Sequence, residues 1–445
     1  MATTYLNKTL SGSPTNNLKW TWSAWVKKTK NGIIQPLFYA DNGGSANFTK
    51  IQFHDTDSVL AQNYVGSSTY GYKITTPVYR DNNAWYHLVM RYDSANSTEN
   101  QRFIIWVNGV DSGTLAMDSN TFPDQNRASI INAGNEHRIG RGNNNVGSNY
   151  FDGIMSHVHF CDGYAYSASD FGSTDATTGE WKINTSPTVT YGTNGFFILK
   201  DGNSVTDQSG NSNNFTVGAG TLTNTEDCPS NVFATLNPLY YAASQYTLSQ
   251  GNNSIVYATD SSRSGFGTIG MTDNLGKFYW EVKIVSDSNN KGAYGICDDL
   301  YVDLNQTGAF IDYSGGYGLF ANGQSYNGGT GSSYGNAVTT GDIVGVALDM
   351  DNRKLYFSKN GTWQNSGDPT SGSTGTGAAY TVAAGKTYLP AIRVRNGTNG
   401  AFNFGNGYFG TTAISSEGTN ASGHGKFEYD VPTGYTALCT KGLNE

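Results

Sequence analysis

Short stretches of the chain alternate between hydrophobic and polar residues. Residues 20–28 read WTWSAWVKK, residues 85–93 read WYHLVMRYD, and residues 277–285 read KFYWEVKIV. A period of two places every second side chain on the same face, which is typical of a β-strand with one buried face. Residues 343–349, IVGVALD, are almost wholly apolar and predict a central strand of a sandwich.

Turn residues separate these stretches. Asn108-Gly109 interrupts residues 102–110, RFIIWVNGV, and predicts a tight hairpin because both residues accept a positive φ. Residues 167–170, SASD, fit a helix-capping pattern but have no periodic apolar face behind them, so we expect a single turn. Residues 314–336 and 366–379 consist almost wholly of Gly, Ser, Thr, Asn and Tyr and predict long loops.

Composition favours the same fold class. The chain has 56 Gly and 29 Tyr among 445 residues, and only 14% of its residues are charged. Such a chain is predicted to be all-β, and two sandwich domains of roughly 200–250 residues each account for its length. Asn237-Pro238 marks a change of character, which predicts domains at residues 1–235 and 236–445. The turn-rich residues 172–231 are assigned to the first domain as additional strands and wrapping loops.

Charge and cysteine content exclude several classes of function. The formal net charge is −8 and no Lys/Arg cluster stands out, so no nucleic-acid partner is expected. No apolar run is long enough to insert into a membrane, and the polar residues 1–10 lack the core of a signal peptide. We therefore expect synthesis in a reducing cytoplasm, with the four cysteines as free and mostly buried thiols.

Candidate catalytic residues are few. A glycoside hydrolase needs two carboxylates on one sugar-binding face, and residues 428–430, EYD, have the spacing but precede Pro432 and lack a third acid. Glu281 and Lys283 share a strand face, which is usually a solvated surface. The sequence thus predicts a protein without catalytic residues.

Candidate metal ligands have ordinary structural explanations beside them. His157, His159 and Cys161 alternate on one strand, a spacing that can chelate a transition metal, but an outward-facing strand surface explains them equally, and His87 is interpreted as structural. Calcium remains possible because oxygen ligands are abundant, although Asx turns also account for such residues. The calcium candidates are Asp41, Asn42, Asp55, Asp57, Asp152 and Asp162.

Motifs of the first half resemble a known family. Residues 85–89, WYHLV, and 105–109, IWVNG, followed by residues 139–141 and 151–163, resemble the core of laminin-G-like, concanavalin A-type lectin domains. Residues 170–197 resemble the version of this domain found in bacteriophage proteins.

Motifs of the second half resemble a SPRY domain. They are YWEV at 279–282, GDIVGVALD at 341–349, LYFSKNG at 355–361 and NFG at 403–405. Residues 427–440 resemble phage SPRY proteins. Together the two resemblances imply two concanavalin A-like jelly-roll β-sandwiches in tandem that bind glycans or proteins without cofactors other than calcium.

The resemblances imply a structural protein of a bacteriophage virion: a tail fibre, spike or capsid decoration that attaches to a host-surface glycan or protein. A purely architectural decoration protein and a polysaccharide depolymerase are the alternatives. Other virion proteins and further copies of the chain are the expected partners. Loop aromatic and amide side chains at the edge of the second sandwich resemble a binding surface in composition. These candidate ligand-binding residues are Tyr313, Tyr317, Asn322, Tyr326, Tyr334 and Trp363.

Overall fold

The computed structural model describes residues 3–10, 12–111, 117–142, 149–200, 205–240, 245–287, 289–303 and 308–444. The chain divides into two compact units, residues 1–224 and 225–445. Both are built from sheets that are antiparallel apart from one short parallel pair in the second unit, which confirms the predicted all-β class with two sandwiches in tandem. Residues 225–235 pair with the second unit, so the division lies before the predicted 235/236 boundary: the Ala234 N–H donates to Leu438 O at 3.0 Å.

The strands of the first unit share the short lengths expected of a sandwich. In chain order, β1 to β16 are Tyr5–Thr9, Lys19–Lys28, Gln35–Asp41, Phe48–Phe53, Val59–Val65, Ser68–Thr75, Tyr86–Asp93, Phe103–Val107, Val110–Asp111, Met117–Thr121, Glu136–Ile139, Gly153–Asp162, Gly172–Thr174, Trp181–Ile183, Phe196–Ile198 and Thr216–Ala219. An eight-stranded sheet has the order β10-β6-β5-β4-β3-β11-β1-β16, and a six-stranded sheet has the order β15-β12-β2-β7-β8-β9.

The strands of the second unit are similarly short. In chain order, β17 to β33 are Thr247–Ser249, Ser254–Tyr257, Arg263–Phe266, Lys277–Ser286, Ala293–Asp298, Gly316–Phe320, Gln324–Asn327, Thr330–Ser333, Ile343–Asp349, Lys354–Lys359, Thr362–Trp363, Tyr380–Thr381, Tyr388–Val394, Thr398–Asn403, Tyr408–Phe409, Thr412–Ala413 and Thr436–Ala437. One sheet runs β17-β18-β30-β20-β25-β26-β27, with β28 and β33 attached, and the other runs β19-β29-β21-β22-β23-β24.

Helical segments are short in the described part of the chain. One α-helical turn, α1, spans Asp299–Asp303. Single 3-10 segments span Glu99–Gln101, Ala168–Asp170, Phe310–Asp312, Gln364–Ser366, Pro369–Thr374 and Gly442–Asn444. None of the helices in the described ranges is long and apolar enough to cross a membrane.

The alternating patterns position the cores as predicted. Tyr86, Leu88, Met90 and Tyr92 of β7 all lie in the core between the two sheets of the first unit. The predicted hairpin is confirmed, because β8 and β9 are joined by Asn108 with φ 48° and the glycine after it with φ 81°. The single turn predicted at residues 167–170 is also confirmed, with its capping box formed.

One long loop prediction is wrong. Residues 314–336 form the strands β22, β23 and β24 rather than an irregular loop. Their Gly-, Ser- and Tyr-rich sequence has weak intrinsic strand preference, and pairing with β21 overrides it. The three strands, which we call the hairpin, lie at one edge of the second unit, next to the segment 364–377.

Candidate functional site

Two segments of the second unit form one continuous surface, which we call the rim surface: residues 322–337 and 364–377. The buried Gln364 side chain joins them, because its Oε1 accepts the Asn336 N–H at 2.8 Å. Tyr334 adds a second link by donating its hydroxyl to Gly377 O at 3.3 Å. The two segments therefore hold each other in place.

An exposed polar group lies at the tip of the hairpin. The Asn322 side chain accepts the Gln324 N–H at 2.9 Å and donates to Gln324 Oε1 at 2.6 Å. The Tyr326 hydroxyl also donates to that oxygen, at 3.4 Å. Asn322 is exposed and Tyr326 is half-buried, so the group presents amide atoms beside an aromatic ring.

A group of packed side chains that the sequence did not reveal supports Tyr326. The Tyr326 ring lies 5.2 Å from the Phe320 ring. The Arg393 guanidinium lies 5.2 Å from the same Phe320 ring. A Cβ placed on Gly331 would be 2.6 Å from Tyr326, so the glycine lets the ring lie over the edge strand β24. Because Arg393 lies on β29, far from Tyr326 in sequence, no local pattern indicates the contact.

Two of the six predicted binding residues lie in the core. Tyr317 and Tyr334 are each 8% exposed. The Tyr317 ring packs 5.2 Å from Tyr380 and 5.9 Å from Tyr388. The Tyr334 hydroxyl accepts the Phe357 N–H at 3.3 Å. Both side chains therefore shape the rim surface from beneath and offer little area to a ligand.

The remaining two predicted residues lie away from the Asn322–Tyr326 group. Tyr313 packs its ring 5.2 Å from that of Tyr301, near the base of the hairpin. Trp363 directs its ring to Tyr279 and Tyr356 on the outer face of the nine-stranded sheet. The structure thus brings Asn322 and Tyr326 together and separates Tyr313 and Trp363 from them.

The interpretation of Glu281 as a solvated surface residue is wrong. Glu281 is fully buried, and both carboxylate oxygens accept hydrogen bonds. The Tyr279 hydroxyl and the Tyr429 N–H donate to Oε1 at 3.1 and 2.9 Å, and the Glu428 N–H and the Asn403 amide donate to Oε2 at 3.0 and 3.2 Å. Burial raises the pKa of Glu281 to about 7 although these donors oppose the shift. The Glu281 side chain therefore binds the backbone of residues 428 and 429 to β20.

A buried serine–histidine pair in the first unit is not arranged for nucleophilic catalysis. Ser23 Oγ lies 2.9 Å from His87 Nε2, while the Trp181 indole N–H donates to His87 Nδ1 at 2.9 Å. Nδ1 is therefore the acceptor nitrogen and Nε2 carries the proton, so the ring cannot take a proton from Ser23. Burial lowers the pKa of His87 to about 3, which keeps the ring neutral. These contacts agree with the structural role predicted for His87.

His157, His159 and Cys161 occupy the outer face of β12, but this face is covered by the chain itself. His159 is 2% exposed, its ring lies 3.9 Å from that of Phe197, and its Nδ1 lies 2.9 Å from the Tyr191 hydroxyl. Burial lowers the pKa of His159 and raises the pKa of the Cys161 thiol. Among the residues that the structure describes, no three His, Cys, Asp or Glu side chains are grouped to hold a metal ion.

Four of the calcium candidates have protein partners for their carboxylates. Lys28 and Arg80 contact Asp57 at 2.7 and 3.1 Å, and Arg138 contacts Asp41 at 2.9 Å. Further contacts of this kind join Lys30 to Asp152 at 2.6 Å and His54 to Asp55 at 2.7 Å.

Asp162 is satisfied without a cation. Its oxygens accept hydrogen bonds from the Thr15 N–H at 2.7 Å, the Asn132 amide at 2.7 Å and the Asn194 N–H at 3.0 Å. Donors of this kind compete with a calcium ion for the same lone pairs. The remaining candidate, Asn42, is exposed on the loop after β3.

The four cysteines are free thiols, as expected. Cys161, Cys297 and Cys439 are buried, and Cys228 is half-buried.

The fold is a tandem of two jelly-roll β-sandwiches. Residues 3–171 match the family model of the concanavalin A-like lectin/glucanases superfamily, and residues 277–407 match the SPRY domain model. The chain therefore contains a laminin-G-like domain followed by a SPRY domain.

Individual relatives match only parts of the chain. Ran-binding protein 9 of Xenopus laevis is 36% identical over 88 residues, which are 19% of this chain and 16% of the relative. The dual specificity protein kinase splA of Dictyostelium discoideum is 27% identical over 130 residues, which are 27% of this chain and 5% of that protein. The solved SPRY domain of human HERC1 is 17% identical, with a TM-score of 0.29, and the match covers 38% of this chain and 96% of that one.

Proposed function

We propose that this protein is a non-enzymatic binding protein that attaches to surface glycans through the rim surface. The observation that supports it best is the Asn322–Gln324–Tyr326 group. An amide pair and an aromatic ring lie side by side on a hairpin that the Gln364 link holds in position. Aromatic rings contribute contact area at a low entropic cost, and amides form hydrogen bonds with hydroxyl groups.

Within this proposal the protein is a structural component of a bacteriophage virion: a tail fibre, spike or capsid decoration. The support is the resemblance of residues 170–197 and 427–440 to phage proteins. The protein would then be assembled with other virion proteins inside the host and act on the particle as a homo-oligomer.

The absence of catalysis is also part of the proposal. Glu281 is surrounded by four donors and lies beneath a covering segment, so it cannot reach a substrate. His87 is held as the wrong tautomer to activate Ser23. Without these contacts, Glu281 and His87 would be candidate catalytic residues.

Host-cell binding by the purified chain tests the proposal. We expect Tyr326→Ala to weaken binding to host cells and their surface glycans by about tenfold, the loss typical of an aromatic contact. Asn322→Ala, at an exposed position, tests the same surface without removing a packed ring. Tyr408→Ala is the matched control, because Tyr408 is a half-buried tyrosine in a separate two-stranded sheet.

Each outcome of the binding experiment is decisive. Binding that survives both rim variants contradicts the rim surface as the contact site. A chain that binds no cells but incorporates tightly into particles is an architectural protein instead. Release of reducing sugar from host polysaccharide would make it a depolymerase and refute the non-enzymatic assignment.

A further inference from the structure

One sheet of the second unit has an open edge. The six-stranded sheet ends at β24, which pairs with β23 on one side and with no strand of the described residues on the other. The opposite end of the same sheet, β19, is covered, because Phe266 O of β19 accepts the Asn237 N–H at 2.7 Å. The fold therefore protects one edge of this sheet and leaves the backbone of β24 open to another strand.

The hairpin geometry decides which backbone groups of β24 face outward. A two-residue turn at 328–329, with φ angles of 57° and 76°, joins β23 to β24. Such a turn makes its flanking residues, Asn327 and Thr330, a hydrogen-bonded pair, so every second residue from Thr330 directs its N–H and C=O to β23. Gly331 and Ser333 direct theirs to the open edge, and no hydrogen bond within the described part of the chain reaches these four groups.

The edge strand lacks the features that usually prevent pairing with another chain. Residues 322–337 contain no charged residue and no proline. Thr330, Ser332 and Ser333 are exposed and have short side chains. Charged side chains, especially lysine, and proline are the usual means by which an edge strand avoids pairing. Neither sequence nor bulk therefore opposes the addition of a strand to β24.

The outward groups of β24 are complementary to a second copy of the same strand. When two copies lie antiparallel with Ser332 opposite Ser332, Gly331 of each copy lies opposite Ser333 of the other. Each of these two pairs exchanges two hydrogen bonds, so every outward N–H and C=O of both strands finds a partner. No charge is buried or opposed in the contact. Symmetric two-fold pairs are also the commonest oligomers.

We propose that β24 is a homodimer interface, in which the β24 strands of two copies pair antiparallel around a two-fold axis at Ser332. The two six-stranded sheets then join into one continuous sheet. This assigns an interface to the expected homo-oligomer. Dimer formation itself does not require glycan binding.

The dimer has a consequence that rests on the proposed function. The Tyr326 ring lies over Gly331, and the two Asn322–Gln324–Tyr326 groups share one face of the joined sheet. Three strand spacings separate the two copies of β23, so the groups lie about 14 Å apart. A dimer would present two neighbouring glycan contacts in place of one.

Sedimentation equilibrium of the full chain tests the dimer. Four main-chain hydrogen bonds make a small interface, so we expect a dissociation constant of about 100 μM, with mostly dimer at about 1 mM. Ser332→Lys and Ser332→Glu are each expected to stay monomeric, because like charges meet at the axis. An equimolar mixture of the two variants should dimerise again, because opposite charges then meet there.

A control variant and a second measurement guard against a folding defect. Thr412→Lys, at an exposed position in a separate two-stranded sheet, should dimerise like the wild type. Hydrogen exchange of the wild type needs no variant. The Gly331 and Ser333 amides should gain protection at the higher protein concentration, while the Ser332 amide is protected at both concentrations.

Several results would overturn the inference. They are a wild type that stays monomeric at the higher concentration, dimerisation of Ser332→Lys alone, and a mixture of the two charged variants that stays monomeric. A dimer in which the Gly331 and Ser333 amides exchange freely uses another surface and also overturns it. A wild type that dimerises as described but binds no host cells supports the inference and contradicts the proposed function instead.

Discussion

The buried Glu281 predicts an unusual pH dependence of stability. An acid whose folded pKa exceeds its unfolded pKa destabilises the folded state when ionised, so stability falls as pH rises between the two values. An ordinary glutamate has a pKa of about 4.3, and burial raises that of Glu281 to about 7. Each pKa unit corresponds to about 1.4 kcal/mol, so the free energy of unfolding should fall by about 3 kcal/mol between pH ~5 and pH ~8.

Glu281→Gln removes this titration while keeping the shape of the side chain. The amide resembles the protonated acid, so at pH ~5 we expect the variant to be close to the wild type or less stable by about 1 kcal/mol. At pH ~8 the free energy of unfolding of the variant, minus that of the wild type, should be about 3 kcal/mol larger than the same difference at pH ~5. Denaturant unfolding of the full chain, followed by tryptophan fluorescence at both pH values, measures the change.

The control and the refuting result are simple. Glu417 is exposed, and Glu417→Gln should retain the wild-type pH profile. If Glu281→Gln and the wild type differ by the same free energy at both pH values, the four donors hold the carboxylate ionised throughout. The reasoning from burial would then be wrong.

Three further predictions concern other buried contacts. Trp181→Ala should let water reach His87 and raise its pKa from about 3 towards the ordinary value, as measured by NMR titration of the imidazole. Lys28→Met should cost about 3 kcal/mol in thermal or denaturant unfolding, because Asp57 loses its 2.7 Å partner while remaining buried; an unchanged stability would show that Arg80 suffices. Gly295→Ala should destabilise the second unit by about 2 kcal/mol or more in the same assay, since the new Cβ would lie 2.0 Å from a carbonyl oxygen of the neighbouring strand.

The fold was predictable because its evidence is local. Period-two patterns such as that of β7, and turn residues such as Asn108, act within a few positions, and the structure places them as expected. The hairpin of β22 to β24 was not predicted because its local sequence gives no such signal. Its Gly- and Ser-rich sequence has little strand preference of its own, and pairing with β21 decides its conformation.

The candidate site was less predictable because it depends on distant contacts. Composition identified the hairpin that carries Asn322 and Tyr326. Composition could not show that Tyr317 and Tyr334 point into the core, because tyrosine occurs on both the buried and the exposed face of a strand. The burial of Glu281 depends on the Glu428 and Tyr429 backbone, and no sequence period connects them to β20.

Segments far apart in sequence close the second unit, and this has a consequence for its synthesis. β33 pairs in parallel with β20, and Phe233 forms a bridge with Cys439. While the ribosome is still translating the residues before β33, Phe278 and Tyr279 of β20 lack this neighbour. Until residues 428 and 429 are made, Glu281 also lacks the two backbone N–H groups that donate to it. The unit can therefore reach its native state only after residue 440 has left the exit tunnel, so that chaperones would meet an exposed sheet face until then.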